Sequence, residues 1–354
     1  MQLKNHLLIL LLSVLVGTST FGQDFHYTQN FFTPLDVNPA LAGAFNGSYR
    51  LNGVYRDQYR GAAEKVFSGF TFNIDAPIIR GIRKQDWVGI GVRYNQDQAG
   101  SANQKMTYFG LGASYHLALD KKQTSILSLG AQYGTGGITY GIQTDNAFGS
   151  FLAVGQLSTA AEQFNMPSGG SGGGGGGGIP NIEGGSLNDL SVGVLYNAKN
   201  PKSGNDLKIG LAVEGILAPR RGAVGNGDRK GIGINAFGSY DYVFTRRSSL
   251  TAGAYLYTQK QNNALNISGI LNHKIKPGDE MTLHAGLGVR NIRAGLVYLG
   301  ATIKGIRVGL GYDIDLGAST PATGGHKSIE LGVSYLGKIF KKPVPKPIIY
   351  CPRL

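Results

Sequence analysis

Met106-Thr107-Tyr108-Phe109-Gly110-Leu111-Gly112-Ala113-Ser114-Tyr115-His116-Leu117 is the stretch that decides the fold. Phe109, Leu111, Ala113, Tyr115 and Leu117 fall on one parity, and Gly110, Gly112, Ser114 and His116 on the other. Successive side chains of a β-strand point to opposite faces, so this is a two-sided strand with one apolar face and one small or polar face.

The same alternation recurs along the chain. Val88, Ile90, Val92 and Tyr94 oppose Gly89, Gly91 and Arg93; Leu283, Ala285, Leu287 and Val289 oppose His284, Gly286, Gly288 and Arg290. Ile306, Val308, Leu310, Tyr312 and Ile314 oppose Arg307, Gly309, Gly311 and Asp313. A soluble β-sandwich also alternates, but these runs are about ten residues, the length of a tilted membrane strand rather than the five or six usual in globular sheets. Six outward parities end on tyrosine, at Tyr94, Tyr115, Tyr133, Tyr196, Tyr312 and Tyr335. Phenolic rings at strand ends suit a membrane interface. The pattern predicts an all-β, transmembrane antiparallel barrel of about 14 strands over residues 48–337.

The strands are expected near 48–60, 65–75, 86–97, 104–117, 124–134, 188–198, 205–216, 232–244, 248–259, 262–274, 280–290, 292–302, 304–314 and 327–337. An even number puts both termini on one side, expected to be periplasmic. The three longest connections, 135–187, 217–231 and 315–326, all follow odd strands, as long outer loops should. A further strand hidden at Ile138–Ile142 would break that agreement.

Residues 1–22 carry Lys4, an apolar run from Leu7 to Val16, and small residues at Thr20 and Gly22. This has the form of a cleaved secretory leader, and the run is short for a membrane span of about 20 residues. Export to the outer membrane is the expected destination.

Composition limits the function. Glycine, 56 of 354 residues, is about twice its usual share, without the period of collagen. The single cysteine, Cys351, supports neither a disulfide nor a thiolate metal cluster. The net charge of +13 raises the possibility of a nucleic-acid partner. Its placement in predicted turns (Lys121, Lys122, Arg246, Arg247) and in a basic, proline-rich periplasmic tail over 338–354 favours lipid headgroups or an acidic periplasmic protein instead. No nucleic acid is expected. The loop 135–187 holds the glycine run Gly169–Gly178, a flexible tether by composition. Its match to the hydrolase pattern G-x-S-x-G lacks the strand and helix that pattern needs. Inward His116 and His284, with Arg93, Arg290, Arg307, Asp313, Lys208, Glu214 and Glu330, are expected to fill the lumen with paired charges. No metal, cofactor or catalytic set is expected, and no enzymatic activity.

One segment falls outside this pattern. Residues 23–47, after the leader, are aromatic and aperiodic, with Phe25, Tyr27, Phe31 and Phe32 followed by Asn38-Pro39. Four aromatics in eight residues call for something to pack against, as a plug in the barrel or as a docking segment for a partner.

This opening, with Gln29, Pro34, Asn38-Pro39-Ala40 and Ala42-Gly43, then Tyr55-Arg56-Asp57-Gln58-Tyr59, resembles the PorP/SprF family. These are outer-membrane proteins of the type IX secretion system of Bacteroidetes. Tyr59 stands where tryptophan is common. The resemblance implies a barrel that assists export or surface attachment of cargo with a C-terminal sorting domain, adhesins used in gliding among them. It also implies other secretion components and outer-membrane lipids as partners. Pro34, Asn38, Pro39, Ala40, Gly43, Tyr55, Arg56 and Gln58 match the motif and are the candidate partner-docking residues. The alternative from the residues alone is a passive, porin-like channel for small solutes.

Overall fold

The computed structural model describes residues 27–58, 67–83, 85–99, 104–141, 181–186, 188–217, 231–259, 262–275, 281–316 and 326–339. The leader, the glycine run and most of the basic tail lie outside them.

The strands are β1 (Tyr49–Gln58), β2 (Phe67–Arg80), β3 (Trp87–Ala99), β4 (Gln104–Ala118), β5 (Ser125–Gly141), β6 (Asn181–Ser186), β7 (Asp189–Lys199), β8 (Asp206–Glu214), β9 (Gly233–Val243), β10 (Ser248–Gln259), β11 (Asn262–Lys274), β12 (Thr282–Arg290), β13 (Ala294–Ile303), β14 (Ile306–Asp315) and β15 (His326–Gly337). Each pairs antiparallel with its neighbours, and β15 returns to β1 with Val54 opposite Gly332, which closes the ring. β6 pairs only with the end of β5, from Gly137 to Gly141, in line with β7. The closed ring therefore has fourteen strands. The strand expected to end at 134 runs to Gly141, so the strand character near Ile138 belongs to an extension of β5 and leaves the even count intact.

Parity sets the two faces. Phe70, Phe72 and Ile74 of β2 are exposed, while Thr71, Asn73 and Asp75 between them are buried. Leu111, Leu129, Leu287, Leu299 and Leu310 are all more than half exposed on the outer face. Exposed aromatic rings border this apolar band at both ends: Tyr55, Phe70, Phe109 and Tyr133 towards one rim, and Tyr196, Tyr242, Phe244 and Tyr335 towards the other. That is the outer surface of a membrane-spanning barrel.

The rims differ. One carries β1's start, β15's end and the short connections after β2, β4, β7, β9, β11 and β13; it is called the turn rim here, and the opposite one the loop rim. The tightest connection, Lys304-Gly305, has φ +48° and +84°, the left-handed pair that a two-residue hairpin needs. In the β4–β5 turn the Asp120 carboxylate accepts from the amides of Lys122, Thr124 and Ser125 and from Thr124 Oγ1. Those bonds, the Ser125 amide foremost, hold its pKa below the usual carboxylate value.

The inner face departs from expectation in one respect. Beside small and charged groups it carries Tyr108, Phe237, Tyr255, Tyr257, Leu296 and Tyr298, most of them buried. Phe237, Tyr255, Tyr257 and Tyr298 pack against the chain that precedes β1.

Candidate functional site

From Tyr27 to Gly47 the chain runs inside the barrel as three short helical turns, Asn30–Phe32, Pro34–Val37 and Pro39–Leu41. Pro34 and Pro39 occupy first positions, where a preset φ and a missing N–H cost nothing. Asn38 caps the third turn, its Oδ1 accepting from the Ala40 amide at 2.8 Å. Phe32, Leu35, Asn38, Ala40 and Ala42 are fully buried.

The segment crosses the lumen. Nearest the loop rim, the amides of Thr28 and Gln29 donate to the Glu330 carboxylate at 2.8 and 3.0 Å, and Thr28 Oγ1 donates to Asp313 at 2.7 Å. At mid-depth Phe32 joins Tyr27, Val54, Ile270 and Tyr298 in one cluster, with Phe31 against Tyr298. Asp36 then reaches β2 and β3, accepting from Asn95 Nδ2 at 2.7 Å and Thr71 Oγ1 at 3.1 Å, with Arg93 Nη1 3.3 Å away. Asn38 Nδ2 donates to the carbonyls of Val194 on β7 and Leu211 on β8, on the wall opposite β14 and β15. Towards the turn rim, the Gly43 amide donates to Asp75 at 2.7 Å, and the Gly43 carbonyl accepts from Trp87 Nε1 at 3.0 Å. Arg50 clasps Asp75 at 2.8 Å and donates to the Leu41 carbonyl.

Inward glycines mark this path. A Cβ on Gly89 would strike the Ala42 carbonyl, one on Gly130 the Ala40 backbone, one on Gly193 the Asn38 amide and one on Gly332 the Phe32 ring. On Gly91 it would stand 2.6 Å from Leu35. Strand glycine is unfavourable without a reason such as close approach of another backbone, and here the inner segment is that reason. Gly43 itself has φ +68° and lies against Gly89, so it needs both the left-handed conformation and the absence of a side chain.

Most of the charges expected in the lumen are paired, and those at the first end of the segment tie strands to it. Arg56 lies 3.2 Å from Asp313 and 3.3 Å from Glu330, and Arg290 lies 3.1 Å from Asp313. Arg290 also donates to Thr28 Oγ1. With its amide oxygen turned towards the guanidinium, Gln58 accepts from Arg56 at 2.7 Å. Two cations and two anions thus join β1, β12, β14, β15 and the segment in a buried, hydrogen-bonded group, the condition under which buried charge is tolerated.

Of the motif residues, Pro34, Asn38, Pro39, Ala40 and Gly43 belong to the crossing segment, and Arg56 and Gln58 to the cluster at its first end. Tyr55 is separate: it faces outward, 45% exposed. Sequence reasoning missed Asp36 and Asp75 as anchors, and it placed Glu330 among the paired lumen charges without its bonds to the segment, since none of the three stands near its partners in the chain. His116 pairs with Ser114 and Ser128 at 2.8 and 2.7 Å. His116 is fully buried, stacked on Trp87, and both it and Ser114 contact the Ala42 carbonyl. The pair is a latch on the segment.

Two cavities flank the segment. A vestibule of about 760 Å³ at the turn rim is bordered by Phe45, Arg80, Trp87, Ile126, Lys199 and Lys208. A chamber of about 280 Å³ lies deeper, between the segment and the wall of β9–β11, β13 and β14.

The family model of the type IX secretion system membrane protein PorP/SprF matches residues 19–335. The chain belongs to that family. Among curated proteins none matches. Solved structures similar to this chain include the toluene transporter TbuX of Ralstonia pickettii, at 10% identity and a TM-score of 0.48, covering 86% of this chain and 93% of that one. The toluene transporter TodX of P. putida follows at 11% and 0.43, covering 86% and 93%. A Pseudomonas aeruginosa FadL homologue gives 12% and 0.44, covering 84% and 92%. Membership in PorP/SprF places this barrel in an outer membrane, among type IX secretion components.

Proposed function

We propose that this PorP/SprF barrel assists type IX secretion by binding, translocating or anchoring at the surface an adhesin-type cargo with a C-terminal sorting domain. The turn rim then faces the periplasm, where the vestibule opens, and the long loops face outward. The observation that carries this reading is the lumen crossing: the segment is fastened to Glu330 and Asp313 on one wall and to the Val194 and Leu211 carbonyls on the opposite one. A passive pore for small solutes conducts only through an open path, and the fastened segment stands across that path; a barrel that acts through partners does not need it open.

Within this reading the motif residues divide by position. Pro34, Asn38, Pro39, Ala40, Gly43, Arg56 and Gln58 hold the crossing segment in place, and Tyr55 is left to meet lipid or a partner. Affinity capture of the native protein from outer membranes tests the proposal. Recovery of secretion components or of proteins with a C-terminal sorting domain is expected, and recovery of the barrel alone would overturn it.

A further inference from the structure

The inner segment does not fill the barrel evenly. Inward glycines of β3, β5, β7 and β15 press on it, yet a Cβ on Gly253 of β10 would find no atom nearer than 3.8 Å. That free space is the 280 Å³ chamber. It shares Leu41, Ala44, Arg50 and Lys208 with the vestibule, so the two hollows adjoin and lead towards the turn rim.

The chamber wall has two characters. One part is apolar, with Phe31, Leu41, Phe237, Ile270 and Leu296. The other brings in three cations and one carboxylate, Asp241, which accepts from Thr251 Oγ1. Arg50 is matched by Asp75 at 2.8 Å, and Lys208 by Asp206 at 3.3 Å. Arg307 has no carboxylate within ion-pair distance among the described residues. Its guanidinium rests 4.5 Å from the Phe31 ring centroid and donates to Tyr298 Oη at 3.3 Å. Those partners hold the planar group in position without neutralising it, and a guanidinium pairs best with a two-oxygen anion.

We propose that this chamber binds an amphipathic carboxylate, its charged end on Arg307 and its apolar body against Phe31, Phe237, Ile270 and Leu296. A hollow of this size, lined about equally by apolar and polar groups with an unmatched guanidinium at its wall, suits a small ligand that has one apolar body and one charged end. The same chemistry is offered by a free organic acid and by the terminal carboxylate of a polypeptide. The site does not depend on the secretion reading, since a failed capture of cargo leaves the chamber and its cation unchanged.

The test uses the full chain in detergent, with calorimetric titration of 4-phenylbutyrate and of its neutral counterpart 4-phenylbutyramide. The acid should bind about tenfold more tightly than the amide, the scale of one charge-assisted pair. Arg307→Gln should abolish that preference, and Gly253→Phe, which fills open space, should abolish binding of both. Retained heat-modifiable migration on gels shows that each variant is folded, and the glycine variant keeps the test valid should the arginine variant fail to fold. Acetyl-Phe-Leu, with a free or an amidated end, separates the sources: preference for the free-ended peptide over phenylbutyrate assigns the site to a chain terminus, and the reverse to a free acid. Equal binding of acid and amide, a preference surviving Arg307→Gln, or no binding by the folded parent would each overturn the proposal.

Discussion

The Asn38 side chain occupies the space that a Cβ on Gly193 would need, and its Nδ2 donates to the neighbouring Val194 and Leu211 carbonyls at 3.0 and 3.1 Å. A turn of the inner segment and a strand on the far wall are therefore shaped for one another. Gly193→Ala should force Asn38 off the wall and destabilise the barrel by about 1–3 kcal/mol, the usual cost of overpacking. Gly253→Ala, facing open space, should be neutral or gain about 0.5–1 kcal/mol. Urea unfolding in detergent, read by tryptophan fluorescence from Trp87, measures both.

Arg56 is 2% exposed between Asp313 and Glu330. Arg56→Gln leaves a single guanidinium, Arg290, for two buried carboxylates and should cost about 3–5 kcal/mol. The loss should appear in the same unfolding measurement, with faster amide exchange at Thr28 and Gln29, whose N–H groups are held by Glu330.

Much of this architecture is visible in the sequence because a strand repeats every two residues. Leu111, Leu287 and Leu310 take the outward face that their parity demands, and closure of an even ring follows from strand number. The path of the inner segment was not visible. Gly193 and Asn38 stand far apart in the chain, and nothing local to either indicates the other. Gly193 reads as one more alternating glycine, and only closure of the ring makes it a seat. The inward rings of Phe237, Tyr255 and Tyr298 sit on a face expected to be small or polar, because the segment brings an apolar core into the lumen. Tyr55 and Arg56 are adjacent in the motif, yet alternation sends one to lipid and the other to the buried cluster.

The Asp120 carboxylate collects its turn's amides, and its pKa is lowered from 3.8. A depressed folded value means that the contribution is fully present above the unfolded pKa and is lost as pH falls through the folded one. Order in the β4–β5 turn should thus hold at pH 5 and decline below about pH 4, the region of ordinary aspartate titration. Amide exchange at Ser125 across pH 2–6 checks this; Asp120→Asn should flatten the dependence.

Leu111 is 56% exposed on the outer face, at the middle of β4. Leu111→Arg should destabilise the barrel in bilayers by roughly 2–4 kcal/mol, the cost of a charge facing lipid at mid-depth. Folding into vesicles, followed by heat-modifiable migration, gives the comparison; unchanged folding would place Leu111 away from lipid.

Conductance in planar bilayers bears most directly on the lumen crossing. The full chain should be silent, because the segment from Thr28 to Gly43 is fastened to opposite walls. A variant lacking residues 24–43, still folded by heat-modifiable migration, should open steady ohmic channels. Equal conductance from the two proteins would contradict the claim that this segment closes the barrel.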